Sequence, residues 1–269
     1  MIEISNLSFS YRKQPVLFDG LALSESPGCI IGLLGKNGAG KSTLLKLIAG
    51  LLEAPGKSVA VMGETPFKRN PSFLEEVYFI PEEYDLPSVK ISEYCKANVL
   101  FYPHFDNEKL QRILTDFELD TNYRLSKLSY GQKKKFLIAF ALSTNCKILV
   151  LDEPTNGLDI PSKAIFRKVV ASSLNEDQLV IISTHQVKDV ENLIDKIVLI
   201  DQGKIILHKT LWEIAEKYAF STVTNLNGLN NLYQEVAPGG FKVMRLSNGN
   251  PTEVDIELLF NAAISGVII

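Results

Sequence analysis

The stretch Gly35-Lys36-Asn37-Gly38-Ala39-Gly40-Lys41-Ser42, followed by Thr43, most constrains what this chain can become. It fits G-x-x-x-x-G-K-[ST], a loop that cradles phosphate. The apolar run Cys29-Ile30-Ile31-Gly32-Leu33-Leu34 precedes it and reads as a buried strand. Leu44, Leu47, Ile48, Leu51 and Leu52 follow at helical spacing, with Gly50 tolerated inside that helix. A glycine loop between a buried strand and a helix is the setting this pattern needs. Glycines at 35, 38 and 40 let the backbone take positive φ and approach phosphate oxygens. Successive N–H groups and the helix N-terminus then form an anion nest. Lys41 reaches the β- and γ-phosphates, and the Ser42 hydroxyl can hold Mg²⁺.

A second group of residues falls on the same expected edge. Lys147 to Leu151 is a short apolar run that ends in Asp152-Glu153. It reads as a fully buried, parallel strand, and acids at the carboxyl end of such a strand face the ligand crevice of an open α/β sheet. Asp152 is expected to hold Mg²⁺ and Glu153 to act as general base for an attacking water. Leu179 to Ser183 is the next buried strand and ends at Thr184-His185, which makes His185 a candidate γ-phosphate contact. Tyr11 stands in a turn between two strands, residues 2–9 and 16–23. It either stacks on a base or is a half-exposed strand-end aromatic.

Composition excludes several classes. The 269 residues carry a net charge of −3, so no global basic field draws the chain to nucleic acid. Three cysteines form no CxxC pair, which argues against a zinc site or disulfide framework and for a reducing compartment. The start lacks a secretory pattern, and no apolar stretch approaches ~18 residues, so a membrane role is expected to come through a partner.

Other stretches organise the rest. Lys57 to Met62 and Val77 to Pro81 read as short strands. Residues 88–145 carry helix-period patterns at 91–101 and 107–117 and read as a helical subdomain inserted into the sheet domain. Ser129 and Gln132 form a capping box before the buried positions Phe136, Leu137, Phe140 and Ala141. Lys133, Lys134 and Lys135 read as a solvated helix face, or else as a contact for phosphates or a partner. A helix is expected from about Pro161 to Leu174, another over 187–194, and a hairpin turns at Gln202-Gly203. Trp212 is expected to pack, and His104 and His208 to be structural or exposed. From residue 221 the composition shifts. Pro238-Gly239-Gly240 reads as a turn, and a hairpin around Asn248-Gly249 and a helix to about Ala263 are expected there.

These motifs, in this order, resemble the ATP-binding cassette family, the nucleotide-binding subunits of ABC transporters. The resemblance covers residues 1 to about 210. Tyr11 resembles the adenine-stacking aromatic, and Gly35 to Ser42 the P-loop. Leu128-Ser129-Tyr130-Gly131-Gln132 resembles the signature LSGGQ. Leu149 to Glu153 is similar to Walker B with its catalytic glutamate, Gly157-Leu158-Asp159 to the D-loop, and His185 to the switch histidine. The resemblance implies a P-loop NTPase α/β core with a mainly parallel sheet, an N-terminal antiparallel β-subdomain, an inserted helical subdomain and a small C-terminal α+β extension. Residues 1–220 would be the ATP-binding domain and 221–269 the extension. It implies ATP and Mg²⁺, catalytic roles for Lys41, Glu153 and His185, and nucleotide contacts from Tyr11, Gly35, Asn37, Gly38, Gly40, Lys41, Ser42 and Thr43. Ser42 and Asp152 would serve the metal. Ser129, Gly131 and Gln132 would face the γ-phosphate held by a second subunit in a head-to-tail homodimer or heterodimer. Integral membrane permease subunits would be the further partners, with no nucleic acid. The chain would be cytoplasmic, peripheral on the inner face of the cell membrane.

Two positions depart from the family pattern. Glu82 stands in place of a glutamine and is expected to bind Mg²⁺ or take up a proton. Tyr130 replaces the first glycine of the GG pair and is expected to weaken the geometry at most. The tail from Val254 resembles that of drug- and peptide-exporting cassettes. The alternative reading is a soluble ATPase of the same family acting in assembly, and a nucleotide-gated module without turnover is a third.

Overall fold

A computed structural model describes residues 1–267. Alternating burial makes β1 (Ile2–Ser10) and β2 (Val16–Glu25) an antiparallel pair, with Ile2, Ile4, Leu7 and Phe9 turned inward. β3 (Cys29–Leu34) is buried on both sides and runs into the glycine loop and α1 (Lys41–Ile48). β4 (Val59–Val61) completes the small sheet in the order β2-β1-β4. A single turn, α2 (Pro71–Leu74), precedes β5 (Val77–Ile80), which Pro81 ends.

Three helices then leave the sheet: α3 (Ile91–Asn98), α4 (Asn107–Asp116) and α5 (Tyr130–Ser143). The chain returns as β6 (Ile148–Asp152), α6 (Ile160–Ser173), β7 (Leu179–Thr184), β8 (Lys196–Asp201) and β9 (Lys204–Thr210). The central sheet has the order β5-β6-β7-β3-β8-β9, parallel except for the final β8–β9 hairpin. One core lies between its first face, the small sheet and α1, and the other lies under the helices. The fold is the expected one.

α7 (Leu211–Lys217) leads to a second antiparallel sheet of β10 (Tyr218–Val223), β11 (Tyr233–Ala237) and β12 (Gly240–Leu246), ordered β10-β12-β11. α8 (Ile256–Ile264) closes the extension. Tyr218, Met244, Ile256 and Leu259 belong to the same buried cluster as the central sheet.

Four expectations change. α1 stops at Ile48, and Gly50 takes φ +69° where an added Cβ would lie 2.3 Å from the Pro66 carbonyl oxygen. Gly50 therefore ends the helix, and Leu51 is exposed beyond it. Residues 187–194 hold one 3₁₀ turn, Val187–Asp189, instead of a helix. The late hairpin turns at Pro238-Gly239 between β11 and β12, not at Asn248-Gly249. Trp212 is exposed and does not pack into the core.

Candidate functional site

Strand register brings the site together. In the parallel sheet Leu34 pairs with Thr184 and Asp152 with Ser183. The ends of β3, β6 and β7 are therefore level, and the residues that follow them meet at one edge, as expected where ligands bind open α/β sheets. A cleft of about 590 Å³ opens there. Tyr11, Asn37, Gly38, Gly40, Lys41, Ser42, Thr43, Glu82, Glu153 and His185 line it.

The glycine loop has the geometry its sequence requires. Gly38 and Gly40 have φ of +80° and +105°, and a Cβ on Gly40 would collide with the Phe18 ring at 2.6 Å. Gly40 caps α1, whose first N–H groups face the cleft. Lys41 is buried, and its Nζ donates to the carbonyl of Gly35 at 2.7 Å and of Lys36 at 3.3 Å. Burial pushes the Lys41 ammonium below its ordinary value, against the pull of Glu153, Asp152 and Glu82. Gly35 and Asp152 are not among the residues that line the cleft.

At the end of β6 the Asp152 carboxylate accepts a hydrogen bond from the Ser183 hydroxyl. Glu153 takes φ +46°, and its N–H donates to Ser183 Oγ at 3.0 Å. That turn aims the side chain into the cleft, where Oε1 lies 2.8 Å from His185 Nδ1. Glu153 Oε2 is buried and, among the described residues, has no hydrogen-bond partner. Burial raises the Glu153 carboxyl above its ordinary value, although His185 and Lys41 pull it down. Glu82 Oε1 accepts from Asn156 Nδ2 at 3.1 Å, so Glu82, Asn156, Gln186 and His185 form a polar rim.

Tyr11 is partly exposed. Its hydroxyl lies 3.0 Å from Thr43 Oγ1 and its ring meets Phe9 edge-on at 5.2 Å. Gln14 to Leu17 also line the cleft, which sequence reading missed. The available signal was weak, an apolar Val16 directly after Pro15 at the start of the second strand, and the structure leaves it 65% exposed.

Ser129, Gly131 and Gln132 stand apart from this cleft. Ser129 caps α5, accepting from the Gln132 N–H at 3.2 Å, while Gln132 Oε1 accepts from the Ser129 N–H at 2.9 Å. Lys134 corrects the expectation of a solvated lysine face, because it is 0% exposed. Burial brings its ammonium down to about 8, against the opposing charges of Glu82, Asp152 and Glu153. A groove of about 630 Å³ lies on another face, between the sheet core and the inserted helices. Leu51, Arg69, Leu74, Leu100 and Phe101 line it, with Leu100 86% exposed.

The model of the ABC transporter family matches residues 18–156, which hold the glycine loop, the α5 cap and Asp152-Glu153. The chain belongs to the ABC transporter family. This cassette is 30% identical over 229 residues to an uncharacterised ABC transporter ATP-binding protein of Methanocaldococcus jannaschii, covering 81% of each chain. It is 32% identical over 215 residues to the lantibiotic transport ATP-binding protein SrtF of Streptococcus pyogenes, covering 78% of this chain and 90% of that one. Among solved structures, it is similar to a dimeric ATP-binding cassette in a post-hydrolysis state bound to ADP and Pi. That likeness has a TM-score of 0.68 at 20% identity, over 78% of this chain and 99% of that one. The cassette is thus an ATP-binding, ATP-hydrolysing subunit of the family, and the family match favours the transporter reading over the soluble assembly ATPase. Among the described residues, no helix is long and apolar enough to cross a membrane.

Proposed function

We propose that this cassette binds Mg·ATP in the cleft beside Lys41, closes head-to-tail on a second cassette, and drives export through a separate permease. The adenine stacks on Tyr11 with Val16 beside it. The backbone from Gly35 to Thr43 and the N-terminus of α1 hold the phosphates. Lys41 trades the carbonyls of its own loop for β- and γ-phosphate oxygens.

No group of three metal-ligating side chains gathers among the described residues. This suits Mg²⁺, which binds through one or two protein oxygens and otherwise through phosphate and water. Ser42 and Asp152 would hold it, with Glu82 on the opposite rim. The free Glu153 Oε2 fits the same chemistry, because a buried carboxylate oxygen without a donor awaits a water or cation. When bound, Mg²⁺ neutralises charge on the phosphates.

Glu153 takes the proton of the attacking water, and its raised affinity for protons suits a general base. His185 fixes the Glu153 carboxylate through Nδ1 and faces the γ-phosphate. Ser129, Gly131 and Gln132, at the positive end of α5, serve the nucleotide of the second cassette. The apolar groove at Leu100 and Phe101 takes an apolar segment of the permease, which keeps the cassette peripheral on the inner face of the membrane. The export direction rests on relatives named for lantibiotic transport and for SkfA peptide export.

The observation that carries this reading is the 2.8 Å pair of Glu153 and His185 across the cleft from Lys41. Phosphate release by the purified cassette tests it. Glu153→Gln is expected to lower kcat by about 10²–10⁴ while ATP still binds. Turnover equal to that of the parent would remove Glu153 from the role of base.

A further inference from the structure

The two positions that depart from the family pattern, Glu82 and Tyr130, touch each other. The Tyr130 hydroxyl donates to the Glu82 carbonyl at 2.8 Å. The Tyr84 hydroxyl returns the contact, donating to the Tyr130 carbonyl at 3.2 Å. The two rings stack at 5.6 Å and 17°. Beneath them, Lys134 Nζ donates to the carbonyls of Glu82 at 3.2 Å and Pro81 at 3.4 Å, and sits 4.9 Å from the centre of the Tyr84 ring. The Tyr130 ring also lies over Gly157, where an added Cβ would be 2.5 Å from it.

These contacts decide between roles for both side chains. Lys134 is wholly buried, with its ammonium spent on two carbonyls and an aromatic face, so it is no contact for phosphate or a partner. Tyr130 is 46% exposed on its outer side. Its ring folds back onto its own chain. Burying an ammonium costs several kcal/mol unless its donors are satisfied, so such a residue belongs where the backbone it holds must not move. That backbone is the Pro81-Glu82 peptide, and the Glu82 side chain reaches from it into the cleft with Lys41 and Glu153.

We propose that Tyr130 and Lys134 are positioning residues, which hold the Glu82 peptide from the first turns of α5 and thereby set where the Glu82 carboxylate stands in the phosphate cleft. Asn156 fixes the far end of the same side chain. The strut makes α5 and Glu82 move as one body. Any displacement of the α5 N-terminus by a second cassette is passed to the cassette's own cleft. Tyrosine at 130 is then the counterpart of glutamate at 82, not an isolated loss of a glycine. The inference rests on reading Glu82 as a cleft residue of an ATPase.

The test uses the full chain with Lys134→Met and Tyr130→Phe, each alone and combined with Glu82→Ala. Methionine keeps the length of the lysine stem and places no charge in the core, and phenylalanine keeps the ring stack. Lys134→Met is expected to lower kcat about tenfold with KM for Mg·ATP within about twofold. In the Glu82→Ala background the same change should cost less than about twofold, because no carboxylate remains to be positioned. Amide ¹⁵N order parameters over 82–86 should fall from about 0.85 in the parent towards about 0.6 in Lys134→Met, and less in Tyr130→Phe. Equal losses of kcat in both backgrounds, or unchanged order parameters over 82–86, would overturn the strut. A parent chain without turnover would instead remove the ATPase reading, and the order parameters alone would then decide the strut.

Discussion

Glu25 offers a perturbation whose size follows from the structure. It ends β2, and its side chain is 0% exposed. Oε2 lies 2.6 Å from Lys196 Nζ on β8 and Oε1 2.9 Å from His208 Nε2 on β9. These two contacts pin the far end of the small sheet to the central sheet. Glu25→Gln removes the charge and points an N–H donor at one of two other donors. The Lys196 ammonium donates one charge-assisted hydrogen bond, worth about 1.5–3 kcal/mol. His208 adds a polar contact, but among the described residues Glu25 Oε1 accepts no hydrogen bond. Lys196 and His208 keep 20% and 35% exposure, so water reclaims part of the gain. A net loss of about 1–2 kcal/mol remains, or about 3–6 °C in Tm for a chain of this size. The pH dependence has a definite sign. Burial pushes the Glu25 carboxyl up, but the contacts and charge of His208 and Lys196 outweigh it and leave it below the ordinary 4.5. A depressed carboxylate stabilises fully above its unfolded value and loses that contribution as pH falls through its folded value. Thermal melts of parent and Glu25→Gln should therefore differ by the full amount at pH 7.5 and draw together as pH falls below 4.5. A gap that stays constant down to acid pH, or that is under about 1 °C at pH 7.5, refutes the reasoning.

Two further outcomes follow from other parts of the molecule. Tyr11→Ala should raise KM for ATP about tenfold, as loss of one base-stacking ring worth about 1–3 kcal/mol implies, with a smaller change in kcat; isothermal titration with ATP and with inorganic triphosphate checks it, since only the first should weaken. Leu100→Asp should leave Tm within about 1 °C, because the side chain is 86% exposed, yet abolish recovery of the cassette with membranes holding its permease.

The site was legible in the sequence where chemistry and strand ends coincide. Lys41, Asp152, Glu153 and His185 each follow an apolar run, and parallel register makes those run ends level in space. The Ser129–Gln132 capping box was legible for the same local reason. What escaped needed tertiary knowledge or a finer use of periodicity. Lys134 was hidden in a triple-lysine run, although it shares a helix face with Leu137, Ile138 and Ala141, all buried. The strand Tyr218–Val223 was missed because it follows α7 directly, with no turn residues to announce it. Gly50 looked tolerable inside a helix because neither its φ of +69° nor the Pro66 carbonyl, distant in sequence, is announced by a local pattern. The meeting of Tyr130 with Glu82 spans 48 residues, and no local pattern reports it.

If the α5 N-terminus of one cassette completes the cleft of another, Glu153→Gln should sediment as a monomer alone and as a dimer carrying two nucleotides in saturating Mg·ATP, and return to monomer when ADP replaces ATP. A Glu153→Gln chain that binds Mg·ATP and still sediments as a monomer would show that no second cassette closes over the site.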